Sequence, residues 1–146
     1  MLDKLDIKRN EIKIYQHNKI TYLGCILDDN LSGESMASKV LNKVGGRLNF
    51  LYRKESFLNL KLRRMLCNAF IQPHFDYACS AWYPNLNKNL TKKMKTAQNN
   101  KCIRFCLGLE NRSHVGINAF KAINWLPVQN RYEQCVSVSV FKFLRI

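Results

Sequence analysis

Acidic side chains are scarce in these 146 residues: 10 Asp and Glu stand against 24 Lys and Arg, leaving a formal charge of +14. Long apolar runs are missing too. None approaches the roughly 18 residues that a membrane span needs. The first twenty residues carry Asp3, Lys4, Asp6, Lys8 and Arg9, which is not the pattern of a signal peptide. No repeat, low-complexity tract or flexible linker interrupts the chain. The expectation is an intracellular protein, nuclear or cytoplasmic, with no membrane partner. What is present is a hydrophobic fraction of 47%, ordinary for a globular chain and too high for disorder. The length fits one domain, or the end of a larger one.

The six cysteines, at 25, 67, 79, 102, 106 and 135, contain no C-x-x-C pair and sit mostly in apolar surroundings. Reduced, buried thiols are the expectation, since disulfide frameworks belong to small secreted chains. Cys102, Cys106 and His114 form a C-x3-C-x7-H array with no fourth ligand nearby and no standard zinc spacing, so no metal site is expected.

The positive charge is concentrated. Residues 39–64 carry eight basic groups against Glu55 alone, and residues 88–112 carry seven against Glu110. Two basic blocks with few acids between them have the character of a phosphate-binding surface. Solvated helix faces are the plainer alternative.

The pattern predicts a mainly α (α+β) protein: a short N-terminal β-hairpin (1–33) followed by about five helices (34–146). Residues 11–16 alternate as a strand does, 17–19 make a turn, and 20–27 form a β-branched and aromatic second strand with a bulge at Gly24. Residues 28–33 turn into a helix that Ser32 caps. Met36, Val40, Val44 and Leu48 recur every four residues as the buried stripe of that helix. Lys39, Lys43 and Arg47 repeat at the same interval along its flank, about 6 Å apart by helix geometry, close to the spacing of successive phosphates. Arg63 and Arg64, with Lys88, Lys92 and Lys95, would line the opposite side of a shared groove. A second helix covers 60–72 and stops or kinks at Pro73, and 74–83 continues as a buried helix. A third spans 88–107, with Leu90, Met94, Ala97 and Phe105 inward, Lys88, Lys92, Lys95 and Arg104 outward, and Gly108 at its end. Short helix 115–123 and a last one from Pro127 to about Leu144 complete the chain. Gly45-Gly46 falls inside a helix and points to close packing there. Trp82 and Trp125 read as core.

The order of motifs resembles a family. Tyr22-Leu23-Gly24-Cys25-Ile26-Leu27-Asp28 precedes a basic amphipathic helix ending at Leu51-Tyr52-Arg53. Then come Phe70-Ile71-x-Pro73-His74-Phe75-x-Tyr77, Trp82, Gln98-Asn99-x-x-x-Ile103-Arg104, Asn124-Trp125-Leu126-Pro127, Arg131 and Phe141-Lys142. Together, over about residues 12–146, these resemble the end of a reverse transcriptase from a non-LTR (LINE-type, jockey-like) retrotransposon. The resemblance implies a primer-grip-like strand at Tyr22, Leu23 and Gly24, after the palm, then thumb and post-thumb helices. It implies partners: a nucleic-acid duplex, RNA–DNA or DNA, and the palm and fingers that would lie upstream. Mg2+ would belong to that palm, so no cofactor is expected in this chain.

Asp28-Asp29 superficially resembles the metal-binding aspartate pair of polymerases. That pair follows (Phe/Tyr)-x at a hairpin turn; here Ile26-Leu27 precede and a helix follows, so a turn and helix-entry role is expected. His17, His74 and His114 are scattered, and no catalytic constellation is recognisable. The chain reads as a part of an RNA-directed DNA polymerase without catalytic residues. A domesticated basic module binding nucleic acid or an acidic protein, and a translated relic, are the alternatives.

Overall fold

A computed structural model of the chain describes residues 7–9, 12–14, 17–110 and 113–145. As expected it is mainly α. Four short strands precede the helices, in two antiparallel pairs: β1 (Ile7–Arg9) with β2 (Ile12–Ile14), and β3 (Lys19–Tyr22) with β4 (Cys25–Asp28). The expected pairing of 11–16 with 20–27 is therefore not formed; residues 11, 15 and 16 lie outside the described residues. The reason is local. Leu23 and Gly24 take φ of 46° and 80°, the two positive angles that a two-residue hairpin turn demands. Tyr22 faces Cys25 across this turn, so Gly24 reverses the chain rather than bulging a strand.

Asp28 then organises the entry to the first helix. Its carboxylate accepts the Ser32 N–H at 2.7 Å and the Ser32 hydroxyl at 2.8 Å. The Asp29 carboxylate takes the Asn30 N–H. The pair thus has the turn role expected of it. Ser32 Oγ in turn accepts the Glu34 N–H at 3.2 Å, while Gly33 is the residue at the cap position itself.

Helix α1 (Glu34–Arg53) buries Met36, Ala37, Val40, Val44, Leu48 and Leu51, the predicted stripe. A short 3₁₀ turn (Glu55–Phe57) leads to α2 (Leu60–Phe70), whose start is capped by the Asn59 side chain accepting from Leu62 N–H. Pro73 acts as predicted. α2 ends ahead of it, and Pro73 occupies the first turn of α3 (Gln72–Asp76), where its missing N–H is harmless. The expected continuous helix over 74–83 is broken at Ala78 (φ 49°), leaving α4 (Cys79–Trp82) as one turn. The break is held by the Trp82 indole, whose N–H donates to the Tyr77 carbonyl at 3.0 Å.

Asn87 caps α5 (Lys88–Thr96), which runs through a π-helical stretch (Ala97–Ile103) into α6 (Arg104–Leu107) and stops at left-handed Gly108. Leu90, Met94, Ala97 and Phe105 face inward as predicted. Arg104 does not face outward: it is half-buried and donates to the Ser113 carbonyl at 2.7 Å. Helices α7 (Ile117–Ile123) and α8 (Val128–Leu144) follow, so the alternating Val-Ser-Val-Ser-Val run is helical.

One core joins these elements, with Trp82, Phe105, Leu48, Ile71 and Met94 at its centre and Cys25 of the hairpin within it. Trp125 is buried too. All six cysteines are free thiols; five are buried and Cys135 is partly so. Gly45 and Gly46 correct an expectation: an added Cβ at either would meet nothing within 4 Å, so neither marks close packing. No helix among the described residues is long and apolar enough to cross a membrane.

Candidate nucleic-acid interface

The hairpin tip is exposed. Tyr22 and Leu23 are 64% and 76% accessible, yet the turn is anchored from below. The Lys39 ammonium donates to the Gly24 carbonyl at 2.8 Å, and the Tyr77 hydroxyl donates to the Leu23 carbonyl. The three residues expected to be primer-grip-like are thereby fixed against α1 and α3.

The cationic row on α1 lies along this same flank. Arg47 donates to the Phe70 carbonyl at 2.6 Å, at the end of α2. Lys43 has no hydrogen-bond partner among the described residues. Such contacts do not exhaust the row: an ammonium keeps two further donors after one bond, and a guanidinium keeps four. They hold Lys39 and Arg47 in place at the surface, which reduces the entropy a ligand must overcome.

The other predicted cations do not face this row across a groove. Arg63 is spent on the protein itself. Its side chain is only 12% exposed, pairs with Glu55, donates to the Leu58 and Glu55 carbonyls at 2.9 Å, and lies over the Phe105 ring. Arg64 donates to the Ala122 carbonyl in the last turn of α7. Lys88, Lys92 and Lys95 are exposed on one face of α5, with Lys95 donating to Gln129 Oε1 at 2.9 Å. α5 approaches the opposite flank of α1. There Leu41, Gly45, Lys92, Lys93 and Lys101 border a cleft of about 470 Å³. Two basic surfaces result, separated by α1. The expectation of one groove fails because Leu41 and Gly45 lie more than a right angle around α1 from Lys39 and Lys43, at 100° per residue.

Two polar ties escaped the sequence reading. Gln98, 1% exposed, donates to the Leu126 carbonyl at 2.9 Å and accepts the Val128 N–H at 2.8 Å. It sits in register with Met94, Cys102 and Cys106, and a lone amide in an apolar row is a legible signal of such a tie. Arg131 grips Asp76 with two bonds of 2.9 Å, which raises its own pKa chiefly through that hydrogen bonding. Asp76 is the single acid between residues 65 and 87, which was the available hint. His74, one of the three scattered histidines, has a buried Nε2 without a hydrogen-bond partner among the described residues. Burial, and then Arg47 and Lys43, hold its pKa below the ordinary value.

Among the described residues no three His, Cys, Asp or Glu side chains cluster as a metal site. Compared with models of known families, with curated proteins and with solved structures, the chain matches none.

Proposed function

We propose that this chain is the post-palm, thumb-like part of a reverse transcriptase of the non-LTR retrotransposon type, and that it holds a nucleic-acid duplex by its backbone without reading sequence. The observation that carries the reading is the row Lys39, Lys43 and Arg47. Two of its members are fixed on carbonyls of neighbouring elements, and the row lies beside the hairpin tip that the resemblance assigns to the primer grip. The motifs behind the resemblance also meet in space: Gln98 ties the Asn124–Pro127 segment, and Arg131 ties Asp76 of the Pro73–Tyr77 segment. In this reading the chain carries no cofactor of its own, and Mg2+ belongs to the palm.

Phosphate contacts position a duplex but carry no sequence information. Binding should be sequence-tolerant and should weaken steeply with salt. Each neutralised phosphate contributes roughly 0.9 to the slope of log affinity against log salt. Replacing Lys39, Lys43 and Arg47 together with Gln should lower that slope by about two to three units. The same exchange at Lys88, Lys92 and Lys95 reports whether a duplex also engages the far flank of α1. An unchanged slope in both variants, with helical content retained, would sink the proposal.

The aspartate pair makes a second prediction. Asp28 and Asp29 are occupied in the turn before α1. Primer extension on an RNA template with magnesium or manganese should therefore yield no product from this chain. Incorporation that disappears in Asp28→Asn or Asp29→Asn would overturn this assignment. One observation favours the alternative of an acidic protein partner: an apolar cleft of about 570 Å³ between α1 and α2, lined by Phe50, Leu66 and Phe70, has Arg47 and Lys54 at its edge.

A further inference from the structure

We infer that the apolar groove between α1 and α2 is a docking site for an acidic amphipathic helix of a partner protein. The groove, of about 570 Å³, follows α1 from Gly46 past Phe50 to Lys54. These positions stand at i, i+4 and i+8, so they form one row about 12 Å long. Leu58, Leu66 and Phe70 border it from the other side. Phe50 and Phe70 are left 61% and 51% accessible, and aromatic side chains of this kind are enriched in protein interfaces. Seven residues of a guest helix rise about 10.5 Å, so apolar side chains at i, i+4 and i+7 would fill the groove from end to end.

Charge selects the guest. Arg47 stands at one end of the groove, donating to the Phe70 carbonyl at 2.6 Å, and Lys54 stands at the other. Their separation of seven residues puts both on one side of α1, about two turns apart. No acidic side chain borders the groove, and Glu55, next to Lys54 in sequence, is paired with Arg63. A guest whose carboxylates flank its apolar row meets both cations at the rim, where complementary charges steer association and fix register. Gly46 is an independent observation. Glycine inside a helix is destabilising relative to alanine, and here an added Cβ would meet nothing within 4 Å. The packing of this chain therefore makes no use of the missing side chain, whereas a second backbone approaching α1 closely would. A nucleobase fits less well, because apolar walls leave its polar edges without hydrogen-bond partners. The inference deepens the acidic-partner alternative and stands apart from the duplex reading, since Lys39 and Lys43 do not border this groove.

The probe is a fluorescently labelled synthetic peptide of about 16 residues, long enough to be partly helical, with Leu at i, i+4 and i+7 and Glu flanking that row. Its anisotropy would be followed on titration with the full chain at about 0.15 M salt, where long-range attraction between exposed charges is screened. Binding should saturate, and a shuffled peptide of identical composition should bind about tenfold more weakly or worse. Gly46→Ala is the decisive variant. It should melt at a higher temperature than the parent and yet bind the peptide about tenfold more weakly, because the new methyl overfills the contact. Gly45→Ala, which borders the cleft on the opposite flank of α1, should melt higher with peptide binding unchanged. Lys54→Glu should weaken binding about fivefold. Equal binding of the shuffled peptide, or full affinity in Gly46→Ala, overturns the inference. So does a single-stranded oligonucleotide that displaces the peptide and is itself weakened by Gly46→Ala, which would give the groove to nucleic acid. Self-association of the parent that Gly46→Ala abolishes, with no peptide bound, would give it to a second copy and overturns the inference too. None of these outcomes moves the salt slope of duplex binding, so the two readings fail separately.

Discussion

Gly33→Ala should cost the protein about 3–5 kcal/mol, combining a left-handed backbone imposed on an L side chain with overpacking. Gly33 takes φ of 71° at the mouth of α1. A Cβ there would lie 2.1 Å from the backbone oxygen of Trp82 and 2.9 Å from its carbonyl carbon. Neither side can yield cheaply. Trp82 is 1% exposed and fixed by its indole bond to the Tyr77 carbonyl. On the other side, the Asp28–Ser32 bonds hold the chain entering α1. In a domain of this size the loss corresponds to roughly 10–20 °C in melting temperature. Gly45→Ala and Gly46→Ala are the matched controls. Both lie within α1 with open space around them, so each should stabilise by about 0.5–1 kcal/mol. Thermal melts of the three variants decide the matter; a Gly33→Ala melt within 2–3 °C of the parent would show that the packing of α1 on α4 is not as described.

The second large effect is alkaline unfolding. Cys67 is pushed up by its hydrogen bond with Cys106 and by burial. Cys79 is pushed up to about 12, mainly by burial, and Cys102 is raised likewise by burial. In the unfolded chain a thiol ionises near pH 8.5. A raised folded value means that the contribution to stability is complete below that pH. It is lost as pH climbs from there toward the folded value, because the unfolded chain releases protons that the folded one keeps. Each such thiol should remove about 1.4 kcal/mol per pH unit, so the three together should remove about 4. Against a typical total of roughly 5–15 kcal/mol, unfolding should be complete between about pH 10 and 12. Urea melts at pH 7, 9 and 10 test this, and Cys102→Ala should flatten the dependence by about a third. A midpoint unchanged up to pH 10 would mean that these thiols are not sealed from water.

How far the sequence disclosed this molecule depended on the range of the interactions involved. The α1 stripe was legible because its spacing alone decides which face is buried, and Pro73 and Gly108 because their backbone limits are intrinsic. The hairpin was misplaced by half its length: Leu23, a residue that resists positive φ, sits at the turn, and the tertiary bonds from Lys39 and Tyr77 to that turn are invisible in a local window. The same reason hid the break at Ala78, which the Trp82 indole maintains. Cations were identified as a class but not sorted. Arg63 and Arg104 look like the lysines in a charge count, and only the fold shows that they are bound to the protein's own carbonyls. Lys39, Lys43 and Arg47 did share a face as their spacing required, whereas the geometry of the second basic block depended on how α5 docks.

The π-helical stretch at Ala97–Ile103 bears on how this chain can change by insertion and deletion. Its i→i+5 bonding accommodates more residues per turn than the α-helix on either side. Loss of a single codon within those seven positions would let a regular helix run through with little net rotation, because seven residues at the wider pitch turn about as far as six at 100° each. Met94 would keep its place, and Phe105 and Cys106 would stay against Tyr52 and Cys67. The stretch therefore absorbs one residue without changing the phase between two halves of one rod, and a deletion that would turn an ordinary buried helix out of its core would here be tolerated.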